Sequence, residues 1–172
     1  PEGRISPWCP GLYADNQIAP WKVITDFIRE QGATSGIQLA HAGRKCSTHR
    51  PTSGSGSVAT SDGGWETYSA TSEAFQGLDA PRMLSIGAIP RIVADFASAA
   101  LRAQKAGFDS REIHAAHGYL LHQFLSPSSN QRDDLYGGPL ENRARLLLEI
   151  VAEVRKAVGE QMPVFIRFSS TD

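Results

Sequence analysis

The sequence is short of several things. It holds two cysteines in 172 residues, Cys9 and Cys46. That is too few for a disulfide framework, and neither sits in a C-x-x-C pair that would suggest zinc. A reducing, cytoplasmic compartment fits that usage. Neither sign of charge is in excess: 17 Lys and Arg face 18 Asp and Glu, for a net charge of −1. A non-specific nucleic-acid binder would carry a basic surplus to neutralise phosphates. No apolar run approaches the roughly 18 residues of a membrane span. Nucleic acid and membrane are therefore not expected partners. The chain opens on "PEGRISPW", without an initiator methionine or signal pattern, and stops at "PVFIRFSSTD". Both ends read as cut, so an internal fragment of a larger protein is expected.

Histidine is scarce as well, yet three of the five fall within nine residues, as His114, His117 and His122 in "REIHAAHGYLLHQFLSP". Polar, titratable side chains where an apolar run ends are costly unless they serve a purpose there. The rest of the chain says where that end lies. Residues 15–31 carry Ile18, Trp21, Ile24, Phe27 and Ile28 at helical spacing, with Asp15 placed to cap the start and Gly32 to end it. "SGIQLAHAG" reads as a short buried strand. Residues 44–84 are rich in Ser, Thr and Gly, without periodicity, as in functional lids or linkers. A second helix spans about 85–106, its true start nearer Pro90. "GFDSREIHAAH" reads as a strand and its exit. A third helix opens at Pro139 and is expected to turn Leu140, Leu147, Ile150, Val151, Val154 and Val158 inward. "PVFIRFSS" is the last strand.

The order is α-β-α-β-α-β. Apolar strands alternating with helices imply parallel pairing through right-handed crossovers. Three strands do not close a barrel. The chain is expected to be either a small open sheet or part of a (β/α)8 barrel. In both, ligands bind at the C-terminal strand ends. Those ends offer Gln38 and His41, then Arg44 and Lys45; His114, His117 and Tyr119; and Arg167, Ser169 and Ser170. This set suits a planar, heteroatom-rich ligand and a carbonyl oxygen. It suits paired-carboxylate hydrolysis poorly, since only Glu112 and Asp172 supply carboxylates there.

Three stretches, "IQLAHAGRK", "FDSREIHAAHGYLLHQFLSPSSNQRDDLYGGPLENRARLLLEIVAEVR" and "VFIRFSSTD", resemble the old yellow enzyme family of FMN-dependent ene-reductases. The branch with a His-x-x-His pair, which includes xenobiotic reductases, is the most similar. The resemblance covers nearly the whole chain and is weakest at 50–84. It implies an α/β fold, a (β/α)8 TIM barrel of which this chain supplies about strands three to five and helices two to four. Residues 1–172 would then form a partial FMN-binding domain, with 44–84 as a long loop over the barrel mouth.

The resemblance also implies roles. Gln38 would bind the pyrimidine edge of the flavin, and Arg167 would place a cation near it. His114 and His117 would hold the substrate carbonyl oxygen. Tyr119 would give a proton to the α-carbon. NAD(P)H would be the reductant, an enone or similar activated alkene the small-molecule partner, and a homo-oligomer one arrangement of the protein. The fragment alone is expected to be inactive, because the loop that holds the FMN phosphate is not in this chain. His122 reads as packing on the following turn, and His41 as loop packing or a contact behind the site. Asn130, Arg132, Asp133, Tyr136, Asn142 and Arg143 read as structural. Arg44 and Lys45 read as solvated loop charges.

Two departures stand out. Ser110 and Arg111 occupy positions where the family carries small or apolar residues, and an arginine inside a strand is expensive unless it reaches solvent or a carboxylate. Cys9 lies outside the family's flavin-tuning position and inherits no such role. Two rival readings remain at this point: a metal-dependent barrel hydrolase using His114 and His117, and a non-catalytic truncated remnant.

Overall fold

A computed structural model describes residues 1–171; Asp172, one of the two strand-end carboxylates, lies outside them. Three strands form a parallel sheet in the order β1 (Gly36–Leu39), β4 (Ser110–Ala115), β5 (Val164–Phe168). Two helices, α2 (Ile89–Lys105) and α5 (Arg145–Val158), make the connections and pack on each other against one sheet face. That face supplies Leu39, Ile113 and Ala115, which meet Ile92, Phe96, Leu146, Ile150 and Val154 in one cluster. Burying an aliphatic side chain of this kind stabilises by about 1.5–3 kcal/mol, so this helix-facing layer holds the sheet.

The second helix begins where its proline predicts. A 3-10 turn over Ile86–Ala88 leads into α2, and Pro90 sits in its first turn, where no N–H partner is lost. The third helix is interrupted: α4 (Leu140–Arg143) breaks at Ala144 before α5 begins. A short helix, α3 (Leu120–Leu125), follows β4 directly. Its six residues carry too little periodicity to be legible beforehand.

The first helix departs further from expectation. It runs as α1 (Ile18–Glu30) after a 3-10 turn at Asp15–Gln17. Asp15 does not cap it; its carboxylate pairs with Arg102 Nε at 2.7 Å, and the Gln17 side chain accepts instead from the Tyr13 and Ala14 amides. Of the expected buried face only Ile18 and Trp21 pack, against Phe108 and its neighbours, while Ile24 and Phe27 are exposed. The amphipathic stripe is present but has little to bury against among the described residues.

Residues 44–84 are not a structureless linker. Two short parallel strands, β2 (Tyr68–Ser69) and β3 (Arg82–Met83), cross within them. Arg132, from the loop after α3, reaches in and donates to the carbonyls of Ala70 (3.0 Å) and Leu84 (2.8 Å). Asn130 donates to the Phe124 and Tyr136 carbonyls. These side chains satisfy buried backbone groups, the structural role expected of them.

Arg111 has neither of the escapes an internal arginine needs. It registers with Ile37 and Val164, on the helix-facing side, and is 0% exposed. One nitrogen donates to the Phe108 carbonyl and contacts the Met162 sulfur; Nε and Nη2 have no partner among the described residues. Burial lowers its pKa, only partly countered by Asp109.

Candidate active site

All three strands run the same way, so their C-terminal ends open on one side. Register decides what they present. Gln38 lies opposite Glu112, and His114 lies opposite Arg167. Alternate residues face the helices, as the packing of Ile37, Ile113, Val164 and Ile166 shows. Gln38, Glu112, His114 and Arg167 therefore project from the other face, by the two-residue period of a strand.

His114 is the pivot of this face. It is 2% exposed, and its Nδ1 has no hydrogen-bond partner among the described residues. The His117 ring stands 5.0 Å away at 75°, and the Tyr119 ring 5.0 Å away at 79°. Burial lowers the His114 pKa, the charges of His117 and Arg167 lower it further, and Glu112 opposes them. The imidazole is thus held neutral and keeps one N–H donor. Burial raises the Tyr119 pKa, so its phenol keeps its proton.

The turn that makes this cluster is strained and then pinned. His117 has φ 59° and Gly118 φ 68°, two left-handed residues in succession. For a histidine that conformation is uncommon, and it concentrates at functional sites. Three bonds hold it. The His117 N–H donates to Ser169 Oγ (3.2 Å), Lys45 Nζ donates to the His117 carbonyl (2.8 Å), and the Gly118 N–H donates to His122 Nδ1 (2.7 Å). Gly118 is needed for its φ; a Cβ there would meet only the mobile end of Lys45, with Nζ at 2.9 Å. His122 thus serves the turn before it, where packing on the turn after it was expected. Lys45 does not behave as a solvated loop charge. Burial lowers its pKa, and it lies 4.2 Å from the Phe75 ring, which with Tyr119 lines a cavity of about 620 Å³.

Behind the turn, the buried Gln123 ties three segments together. Its Oε1 accepts from Ser69 Oγ (2.8 Å) and the Arg44 amide (3.3 Å), and its Nε2 donates to the Gly118 carbonyl (2.7 Å). His41 is buried nearby, its Nδ1 accepting from the Gly43 amide at 3.1 Å. Burial brings its pKa down to about 4. It supports the loop and does not face the ring cluster.

Gln38 and Arg167 meet through Glu112. Gln38 Nε2 donates to Glu112 Oε1 at 2.5 Å, and Arg167 Nη1 lies 4.0 Å from the same oxygen. Sequence reasoning named Glu112, Lys45 and Ser169 near the strand ends without these contacts, and passed over Gln123. Only Glu112 had a signal: it is the strand residue two before His114, and hence on the same face. The amide and guanidinium form a polar edge beside the neutral His114, whose Nδ1 has no partner among the described residues. An amide and a guanidinium side by side fit the pyrimidine edge of a flavin, and the imidazole suits a carbonyl oxygen. No group of three His, Cys, Asp or Glu able to hold a metal occurs among the described residues, so the hydrolase reading has no geometric support.

Known proteins are similar to this chain in sequence and fold. The chain is 47% identical over 175 residues to an NADH:flavin oxidoreductase of Gibberella zeae, covering 99% of this chain and 42% of that protein. It is 42% identical over 172 residues to the NADPH dehydrogenase of Bacillus subtilis, covering 100% of this chain and 46% of the relative. An old yellow enzyme homologue from Zymomonas mobilis superposes with a TM-score of 0.82 at 33% identity, over 97% of this chain and 46% of that structure. The chain thus spans less than half the length of the relatives it matches, and its three strands are an arc of their (β/α)8 barrel. The model of the NADH:flavin oxidoreductase / NADH oxidase family matches residues 1–172, and the chain belongs to that family.

Proposed function

We propose that this chain forms one side of the mouth of an FMN-dependent ene-reductase, in which hydride passes from NAD(P)H to the activated C=C of an α,β-unsaturated carbonyl compound. The observation that carries this reading is the ring cluster: a buried, neutral His114 within 5.0 Å of both His117 and Tyr119, in register with Arg167. The family match supports FMN, and the names of the relatives support a nicotinamide reductant. Bound FMN would supply the two-electron carrier between the two substrates.

This chain's residues account for the rest. Gln38 and Arg167 bind the pyrimidine edge of the ring, and the Arg167 cation favours the negative charge that comes with the electron pair. His114 and His117 donate N–H groups to the carbonyl oxygen, stabilising the enolate-like charge that develops on it. Tyr119, its proton retained by burial, protonates the α-carbon. The 44–84 segment covers the mouth through Phe75, and the alkene would be a small molecule. Self-association is one way for the arc to be completed.

The test is turnover by a completed, flavin-loaded barrel that carries this chain. NADPH oxidation is expected to rise when a cyclic enone is added. His114→Ala with His117→Ala is expected to abolish that increment while the flavin stays bound. NADPH oxidation indifferent to the enone would overturn the substrate class.

A further inference from the structure

Glu112 has no role in the reading above, yet it sits at its centre. It is the register partner of Gln38 and lies two residues before His114 on the same strand face. One carboxylate oxygen takes the Gln38 amide at 2.5 Å and faces Arg167 Nη1 at 4.0 Å.

A carboxylate can only accept hydrogen bonds. A primary amide beside it must therefore turn its NH2 end inward, because the flipped amide would set two oxygens against each other. Glu112 thus decides the orientation of Gln38. With one Nε2 hydrogen given to Glu112, Oε1 and the second N–H remain to face a ligand. Arg167 alongside can only donate. The edge presented is one acceptor beside donors. That pattern complements a cyclic imide, whose N–H lies between two carbonyl oxygens.

We propose that Glu112 is a positioning residue: it fixes the Gln38 amide with Oε1 outward, so that the site selects a ligand edge bearing an imide N–H. This rests on the flavin reading for the identity of the ligand, but the Gln38–Glu112 contact can be tested without flavin.

The first measurement is NMR on the free 172-residue chain labelled with 15N-glutamine. The Gln38 side-chain NH2 signals, assigned by their loss in Gln38→Leu, are expected apart from those of solvated glutamines, and are expected to join them in Glu112→Leu. Signals already at the solvated position, or unmoved by the substitution, would overturn the proposal. The second measurement compares riboflavin with N3-methylriboflavin, which lacks the imide N–H. The unsubstituted chain is expected to prefer riboflavin by about tenfold, the value of one good hydrogen bond. In Glu112→Gln, where either amide end can face inward, the preference is expected to shrink to about twofold. A general loss of structure would weaken both ligands alike and leave the ratio unchanged, and that result would also overturn the proposal. If neither flavin binds while the Gln38 signals still respond to Glu112, the flavin reading fails and the positioning role stands.

Discussion

The imidazole of His114 meets the Tyr119 ring edge to face, with centroids 5.0 Å apart and planes at 79°. The contact joins a strand residue to a residue beyond a left-handed turn, and it helps keep His114 dry. Replacing Tyr119 with alanine is expected to admit water and return the His114 pKa toward its ordinary 6.5 from below. Imidazole 15N shifts followed against pH check this. An unchanged His114 titration would show that the ring is not what desolvates it.

Arg111 is a buried cation with two nitrogens that have no partner among the described residues, in a layer otherwise filled by apolar side chains. Arg111→Leu is expected to stabilise the chain, by about 1–4 kcal/mol if this site behaves like other buried ionic groups replaced by apolar ones. Urea denaturation reads this as a higher midpoint with an unchanged slope. A lower midpoint would mean that the arginine's bond to Phe108 outweighs its desolvation.

His41 makes stability depend on pH. Its pKa is about 4 in the folded chain against 6.5 when unconstrained. Between those values the unfolded chain takes a proton that the folded chain refuses. The contribution is intact above about pH 6.5 and is lost as pH falls toward 4, by on the order of 3 kcal/mol in full. Denaturation midpoints measured from pH 7 to pH 4 are expected to fall less steeply for His41→Asn than for the unsubstituted chain. Equal slopes would place the dependence elsewhere.

Much of this arrangement could be read from the sequence. The strands at 36–39, 110–115 and 164–168 are apolar runs between breakers, and their parallel pairing follows from the helices between them. His114, His117 and Tyr119 announced themselves by clustering at a strand exit. The failures share one cause, since they depend on partners distant in sequence. The stripe of α1 is periodic, but periodicity does not say whether anything covers Phe27. Lys45 and Gln123 belong to segments without usable period, and only the folded chain brings them to His117 and Gly118. Glu112 was legible by strand alternation, but its hold on Gln38 needed the register. Arg111 was read as costly inside a strand, and it lies fully buried, reaching neither solvent nor a carboxylate among the described residues.

The central claim is that Gln38 and Arg167 hold a flavin ring edge beside the histidine pair, and flavin titration tests it most directly. Riboflavin and FMN are each added at fixed concentration and flavin fluorescence is followed as chain is added. Both are expected to bind weakly and alike, because the proposed contacts are to the ring edge that the two flavins share. Gln38→Ala and Arg167→Ala are each expected to weaken binding by about tenfold. Saturable quenching indifferent to both substitutions, or no quenching at all, would contradict the account.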